Sequence, residues 1–235
     1  MLKKIWNYFT LVEKIIWFSS IALIIACFCI FDRTNYFNLI TSICGVTGLI
    51  FVAKANPLSK VFGVVFSILY AIVSFKSKYY GEMLTYVLMT LPMNIIALIA
   101  WIKHPFNDDK NEVEIYTVTK KDIIIMFILT TIITSIFYFI LEYFNTNNLI
   151  FSTLAIATSF IAIYLTSKRS PFYAIGYACN DIVLIVLWTL ASIEDISCIS
   201  ILACFVAFLA NDLYGFINWN NIKKRQRNIK KTNDE

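Results

Sequence analysis

Apolar residues run along the chain in eight long blocks, broken by short polar stretches that hold most of the charges. A block of roughly 18 or more apolar residues is long enough to cross a bilayer as a helix. The pattern predicts spanning helices over 15–31, 39–53, 58–75, 81–101, 122–144, 149–166, 172–190 and 196–219. Residues 1–14 mix Trp6, Tyr8 and Phe9 with Lys3, Lys4 and Glu13, which suits a segment lying in the membrane interface. One long hydrophilic loop, 102–121, separates the fourth helix from the fifth, and a basic tail, 220–235, follows the eighth.

Composition supports this reading. Hydrophobic residues make up 59% of the 235 positions and charged ones 15%, more apolar surface than a soluble core of this size can bury. Ile24-Ile25-Ala26-Cys27 loosely imitates a lipoprotein cleavage signal, but seven further apolar blocks make the first one a transmembrane helix. The six cysteines, Cys27, Cys29, Cys44, Cys179, Cys198 and Cys204, sit in or beside apolar blocks without metal-ligand spacing, and read as small buried residues. His104 is the only histidine, so a histidine-based metal centre or catalytic triad has no raw material, and no catalytic residue, metal or cofactor is expected. No GxxxxGK[ST] phosphate loop is present, which argues against an ATP-driven pump.

The net charge of +5 is distributed by side of the membrane. Alternating the gaps between helices places Lys3, Lys4, Lys14, Lys54, Lys60, Lys103, Lys110, Lys120, Lys121, Lys168, Arg169 and the six basic residues of the tail on one side. Only Arg33, Lys76 and Lys78 fall on the other. This bias puts both termini in the cytoplasm and treats the basic residues as topology signals, with no nucleic-acid partner.

The chain also repeats. Lys54-Ala55-Asn56-Pro57 between helices two and three matches Lys168-Arg169-Ser170-Pro171 between helices six and seven, and Asn94 precedes Trp101 by the spacing at which Asp212 precedes Trp219. Two three-helix units, 39–101 and 149–219, separated by one connecting helix, have the same orientation in the membrane. The expected fold is therefore an all-α integral membrane protein in a 3+1+3 arrangement with one additional N-terminal helix.

Polar residues at membrane depth mark the candidate site. A charge at mid-bilayer costs about 2.5 to 3.5 kcal/mol, while a large apolar residue returns about 0.3 to 0.6. Helix seven holds Asn180 and Asp181 at its centre, and its apolar residues barely offset them, so this pair should face protein or a wet path. Tyr173, Tyr177, Asn180, Leu184 and Trp188 share one stripe of that helix, suited to stacking a flat ring and reading its polar edge. Helix eight carries a stripe of Asn211, Tyr214 and Asn218, with Asp212, Gly215 and Trp219 on the neighbouring face. Helix four offers Glu82, Tyr86, Met89 and Met93, with Asn94 slightly to the side and Pro92 loosening the backbone. The ligand-binding candidates are thus Tyr86, Asn94, Tyr173, Tyr177, Asn180, Asp181, Trp188, Asn211, Asp212, Tyr214 and Asn218. Interhelical hydrogen bonding is the competing role for such groups, and would make the protein a non-transporting membrane scaffold. Trp101 and Trp219 are expected to anchor helix ends at the interface, and the tail to be a solvated or headgroup-facing cap.

The stretch from Val52 to His104, with Tyr80-Gly81-Glu82, Leu91-Pro92-Met93 and Trp101, and the later Asn180-Asp181 and Asn211-Asp212-Leu213-Tyr214-Gly215-Phe216-Ile217-Asn218-Trp219, resemble the PnuC-type vitamin transporters, known for nicotinamide riboside uptake. The resemblance implies a fold related to the SWEET sugar transporters, trimers in the plasma (inner) membrane, and uncoupled diffusion of a vitamin or nucleoside trapped by a cytoplasmic kinase. Two departures bear on substrate. A tryptophan pair typical of nicotinamide riboside members corresponds to Tyr173 and Gly176, and a glutamine to Asn94, which leaves thiamine, riboflavin or a deoxynucleoside as alternatives.

Overall fold

The computed structural model describes residues 8–77, 79–107, 109–146 and 148–234; Lys3, Lys4, Trp6 and Lys78 of the expectations above lie outside them. Eight helices are long and apolar enough to cross a membrane: α1 Leu11–Phe31, α2 Tyr36–Ala53, α3 Leu58–Lys76, α4 Tyr80–Ile102, α5 Lys120–Tyr143, α6 Leu149–Ser167, α7 Tyr173–Glu194 and α8, which opens with a 3-10 turn at Ile196–Cys198 and runs over Ile199–Asp234. The start of α1 precedes the hydropathy boundary because Thr10 and Glu13 close a capping box, and Thr119 with Asp122 does the same for α5.

The packing obeys a pseudo-two-fold exchange of α2, α3, α4 with α6, α7, α8. The α2–α3, α3–α4 and α2–α8 contacts correspond to α6–α7, α7–α8 and α6–α4. The exchange takes in α1 and α5 as well, since α1 packs on α2 and α8 while α5 packs on α6 and α4. Each of these outer helices begins with a buried acidic residue paired to the lysine of its own half's loop: Glu13 with Lys54 at 3.1 Å, and Asp122 with Lys168 at 2.8 Å. The hydrogen bond to Asp122 holds the Lys168 amine above its ordinary range.

Three expectations are corrected. The tail is not a free cap: α8 continues through it and docks on the 102–121 loop, which folds into a hairpin of β1 Pro105–Phe106 and antiparallel β2 Asp109–Val113. Gln226 is buried there, its Oε1 accepting from Ile115 N and its Nε2 donating to Val113 O, while Arg225 and Lys230 pair with Glu112 and Glu114. Trp101 and Trp219 do not face outward as interfacial anchors would. Both are fully buried, and each donates its indole N–H across the pseudo-two-fold, Trp101 to Thr166 O at 2.9 Å and Trp219 to Val52 O at 2.7 Å. Among the cysteines, Cys198 and Cys204 are buried, whereas Cys29 and Cys179 face outward.

Candidate functional site

Between the two three-helix units lies a cavity of about 90 Å³. Gly45, Gly48, Leu49 and Val52 line it from α2; Ser59, Lys60, Phe62, Gly63, Phe66 and Ser67 from α3; Tyr86, Thr90 and Asn94 from α4; Tyr177, Asn180, Asp181 and Leu184 from α7; Phe205, Phe208 and Asp212 from α8. The glycines let polar side chains in: a Cβ on Gly63 would lie 2.7 Å from Asn94 Oδ1.

Two polar arrangements face each other under the pseudo-symmetry. Asn94 donates to Ser67 Oγ at 3.1 Å, and at the related positions the carboxyls of Asp181 and Asp212 lie near enough to act on each other electrostatically. Ser159 of α6 donates to Asn180 Oδ1 at 2.5 Å, which turns the amide nitrogen toward the cavity. Asn180 Nδ2, Asp181 Oδ2 and Ser59 Oγ are buried with no hydrogen-bond partner. Buried polar atoms left unpaired cost about 1 to 3 kcal/mol each, so a site that keeps such atoms on both of its sides is built for an incoming group.

The reach of α4 into this cavity depends on a π-helical segment, Tyr86–Thr90, in which Leu91 N donates to Tyr86 O. Pro92 follows it and supplies no N–H to the turn before. In a pure α-helix Tyr86 and Asn94, eight residues apart, would diverge by about 80°. The wide turn absorbs about one residue, which brings both onto the cavity side.

Aromatic contacts narrow the cavity towards both ends. On one side Trp188 Nε1 donates to Tyr70 Oη at 2.7 Å, tying α7 to α3, and the Tyr70 ring lies 4.3 Å from that of Tyr86. On the basic side the rings of Trp101 and Trp219 meet at 5.5 Å. Pockets that bind drug-sized ligands usually span about 300 to 1,000 Å³, so this conformation is contracted, and holding a solute of that size requires the helices to part.

Six of the residues singled out by sequence line the cavity: Tyr86, Asn94, Tyr177, Asn180, Asp181 and Asp212. The other five lie elsewhere. Tyr173 is buried beneath it, edge-on to Trp219 at 4.6 Å, and Trp188 narrows the opposite end. Asn211 donates to Ser20 of α1, Tyr214 to Glu13, and Asn218 to Ala53 O, so that stripe of α8 holds α1 and α2. The cavity receives the neighbouring face, about 100° round, through Asp212. Sequence reasoning missed Lys60, which it counted as a loop lysine, and the Gly45, Gly48 and Gly63 set; a lysine three residues after Pro57 in an apolar block was the available signal.

A family model described as nicotinamide mononucleotide transporter matches residues 35–221. Two curated proteins named nicotinamide riboside transporter PnuC are similar to the chain. The one from Neisseria mucosa is 24% identical over 224 residues, covering 94% of this chain and 84% of the relative. The one from Haemophilus influenzae is 26% identical over 192 residues, covering 81% and 82%. A solved structure described as the crystal structure of the vitamin B3 transporter PnuC shares the fold, with a TM-score of 0.80 at 22% identity, covering 93% of this chain and 94% of that one.

Proposed function

Because the chain belongs to the nicotinamide mononucleotide transporter family, a family of membrane transporters and not of enzymes, we propose that it moves a vitamin, with nicotinamide riboside first, down its gradient through the central cavity. The observation that carries this reading is the wall of unpartnered polar atoms, Asn180 Nδ2 and Asp181 Oδ2, at the seam between the two three-helix units. A pyridine nucleoside offers the matching parts. Its ring cation and ribose hydroxyls suit the Asp181 and Asp212 carboxyls, its amide suits Asn180, and its flat ring suits Phe66, Tyr86 and Phe208.

A second reading, a different heterocycle such as thiamine, riboflavin or a deoxynucleoside, is favoured by Gly176. Its Cβ would meet Ala162 Cα at 2.8 Å, so no aromatic ring fits there, and the cavity draws its rings from α3, α4 and α8. By the distribution of basic residues, the face carrying Lys54, Lys168 and the hairpin lies in the cytoplasm of a plasma (inner) membrane, with both termini on that side. Capture of the arriving vitamin by a cytoplasmic kinase and assembly as a homotrimer complete the proposal.

Liposomes containing the purified protein are expected to equilibrate labelled nicotinamide riboside without any ion gradient. Equilibration of thiamine, riboflavin or a deoxynucleoside in its place would select the second reading. Impermeability to all of them would remove the transport reading.

A further inference from the structure

Lys60 lies in the first turn of α3, where a lysine ordinarily extends its amine to water. Here it is 3% exposed and lines the central cavity, with Nζ 4.6 Å from the centre of the Trp101 ring. The ion pairs formed among the described residues use Lys54, Lys168, Arg225 and Lys230, and none uses Lys60. Asp212 is near enough to act on it electrostatically, but no carboxylate closes on its amine. A cation buried beside aromatic rings and short of a direct anionic partner is costly unless something else completes it.

The hydrogen-bonding inventory of the cavity says what would. Asn180 Nδ2, Asp181 Oδ2 and the hydroxyls of Ser59 and Thr90 are buried there without partners, and the Lys60 amine, which forms no ion pair, lies among them. A carboxamide brings two N–H donors of its own and one acceptor oxygen, whereas a carboxylate brings only acceptors, with four lone-pair sites. The donors therefore fit a carboxylate, and the Asp181 and Asp212 pair fits a ring cation in the same molecule.

Resting on the vitamin-transport reading, we propose that Lys60 is a specificity-determining residue that makes the cavity prefer a zwitterionic pyridine nucleoside, one with a carboxylate on the cationic ring, over its carboxamide counterpart. The ligand carboxylate accepts from Lys60 and Asn180 while the pyridinium faces Asp181. In the carboxamide the same position leaves the amine with a neutral partner.

Equilibrium binding of nicotinate riboside and nicotinamide riboside to the purified protein in detergent tests this. Wild type is expected to bind the acid about tenfold or more tightly than the amide, as a charge-assisted hydrogen bond allows. Lys60→Gln is expected to lose that preference, weakening the acid about tenfold while changing the amide by less than about threefold. Equal affinities in wild type, or tighter binding of the amide, overturn the inference and leave the transport reading standing. An equal loss for both ligands in Lys60→Gln shows Lys60 to be merely structural and also overturns it. Should the variant not fold, the wild-type ratio decides alone, and binding of neither nucleoside removes both this inference and the nicotinamide riboside reading.

Discussion

Replacing Asn180 by leucine removes the one side chain that presents an unpaired amide to the cavity, and strands Ser159 Oγ in place of its 2.5 Å bond. Affinity for the transported vitamin is expected to fall more than about tenfold, with a melting temperature within a few degrees of wild type, because a single hydrogen bond is worth only about 1 kcal/mol to the fold. Tyr173→Ala should behave in the opposite way. Tyr173 packs on Trp219 below the cavity, so its truncation opens a void worth about 3 to 5 kcal/mol, visible in the melt even without ligand. These two positions share a stripe of α7, and periodicity could not separate them: which stripe member meets a cavity and which a tryptophan depends on α8, not on α7. Lys60 was overlooked for a related reason. Counting lysines by loop assumes that each reaches water, whereas this one turns inward under Trp101. Asp32, in the turn after α1, offers a test by pH. Burial raises its carboxyl pKa despite hydrogen bonds from Asn38 and Ser200, so its folded form holds a proton more firmly than the unfolded chain does. Its contribution is present below the unfolded carboxyl pKa and is lost as pH rises through the folded one. The difference in melting temperature between wild type and Asp32→Asn should change over that window and be flat above it.

At the scale of elements, the hydropathy blocks located all eight helices, and specific chemistry moved the ends of three of them, α1, α5 and α8. Thr10-x-x-Glu13 lengthens α1 backward, as a capping box in the sequence allows, while the extension of α8 to Asp234 has no hydropathy signal because its partners are Glu112, Glu114 and the hairpin backbone. The π-turn of α4 lay between these cases. Pro92 announced a weakened backbone, but not that the extra residue would be absorbed at Tyr86–Thr90. Pro92→Ala restores an N–H and lets an α-helical ladder close, which rotates Tyr86 by about 100° relative to Asn94. The variant is expected to melt at or above the wild-type temperature and to bind its vitamin at least about tenfold more weakly. Full affinity in that variant would show the wide turn to be irrelevant to the site.

For the molecule as a whole, the hairpin segment sits where the two halves meet. Val113 N donates to Ala55 O at 2.9 Å and Tyr116 N to Arg169 O at 3.0 Å, so amides three residues apart in one segment, at and just after the end of β2, hold the related carbonyls of both inter-helix loops. Ala55 and Arg169 have φ of 54° and 57°, a left-handed conformation costing each about 1 to 2 kcal/mol, and the two bonds help to fix them there. If the basic face opens by parting the halves, these carbonyls move away from each other and one short segment cannot follow both. Gln226 sets the strength of this strap, since its side chain bonds Ile115 N and Val113 O from the end of α8. Gln226→Ala is therefore expected to raise the hydrogen-exchange rates of the Val113 and Tyr116 amides by about tenfold, matching roughly 1.4 kcal/mol of lost local protection. Liposome uptake should become severalfold faster at unchanged vitamin affinity, because the cavity residues are untouched while the cost of parting the halves falls. Faster amide exchange with an unaltered transport rate would mean that separation of the loops is not the limiting step. Unaltered exchange would mean that the hairpin is held by its own antiparallel pairing and that the helical tail adds nothing to the closure.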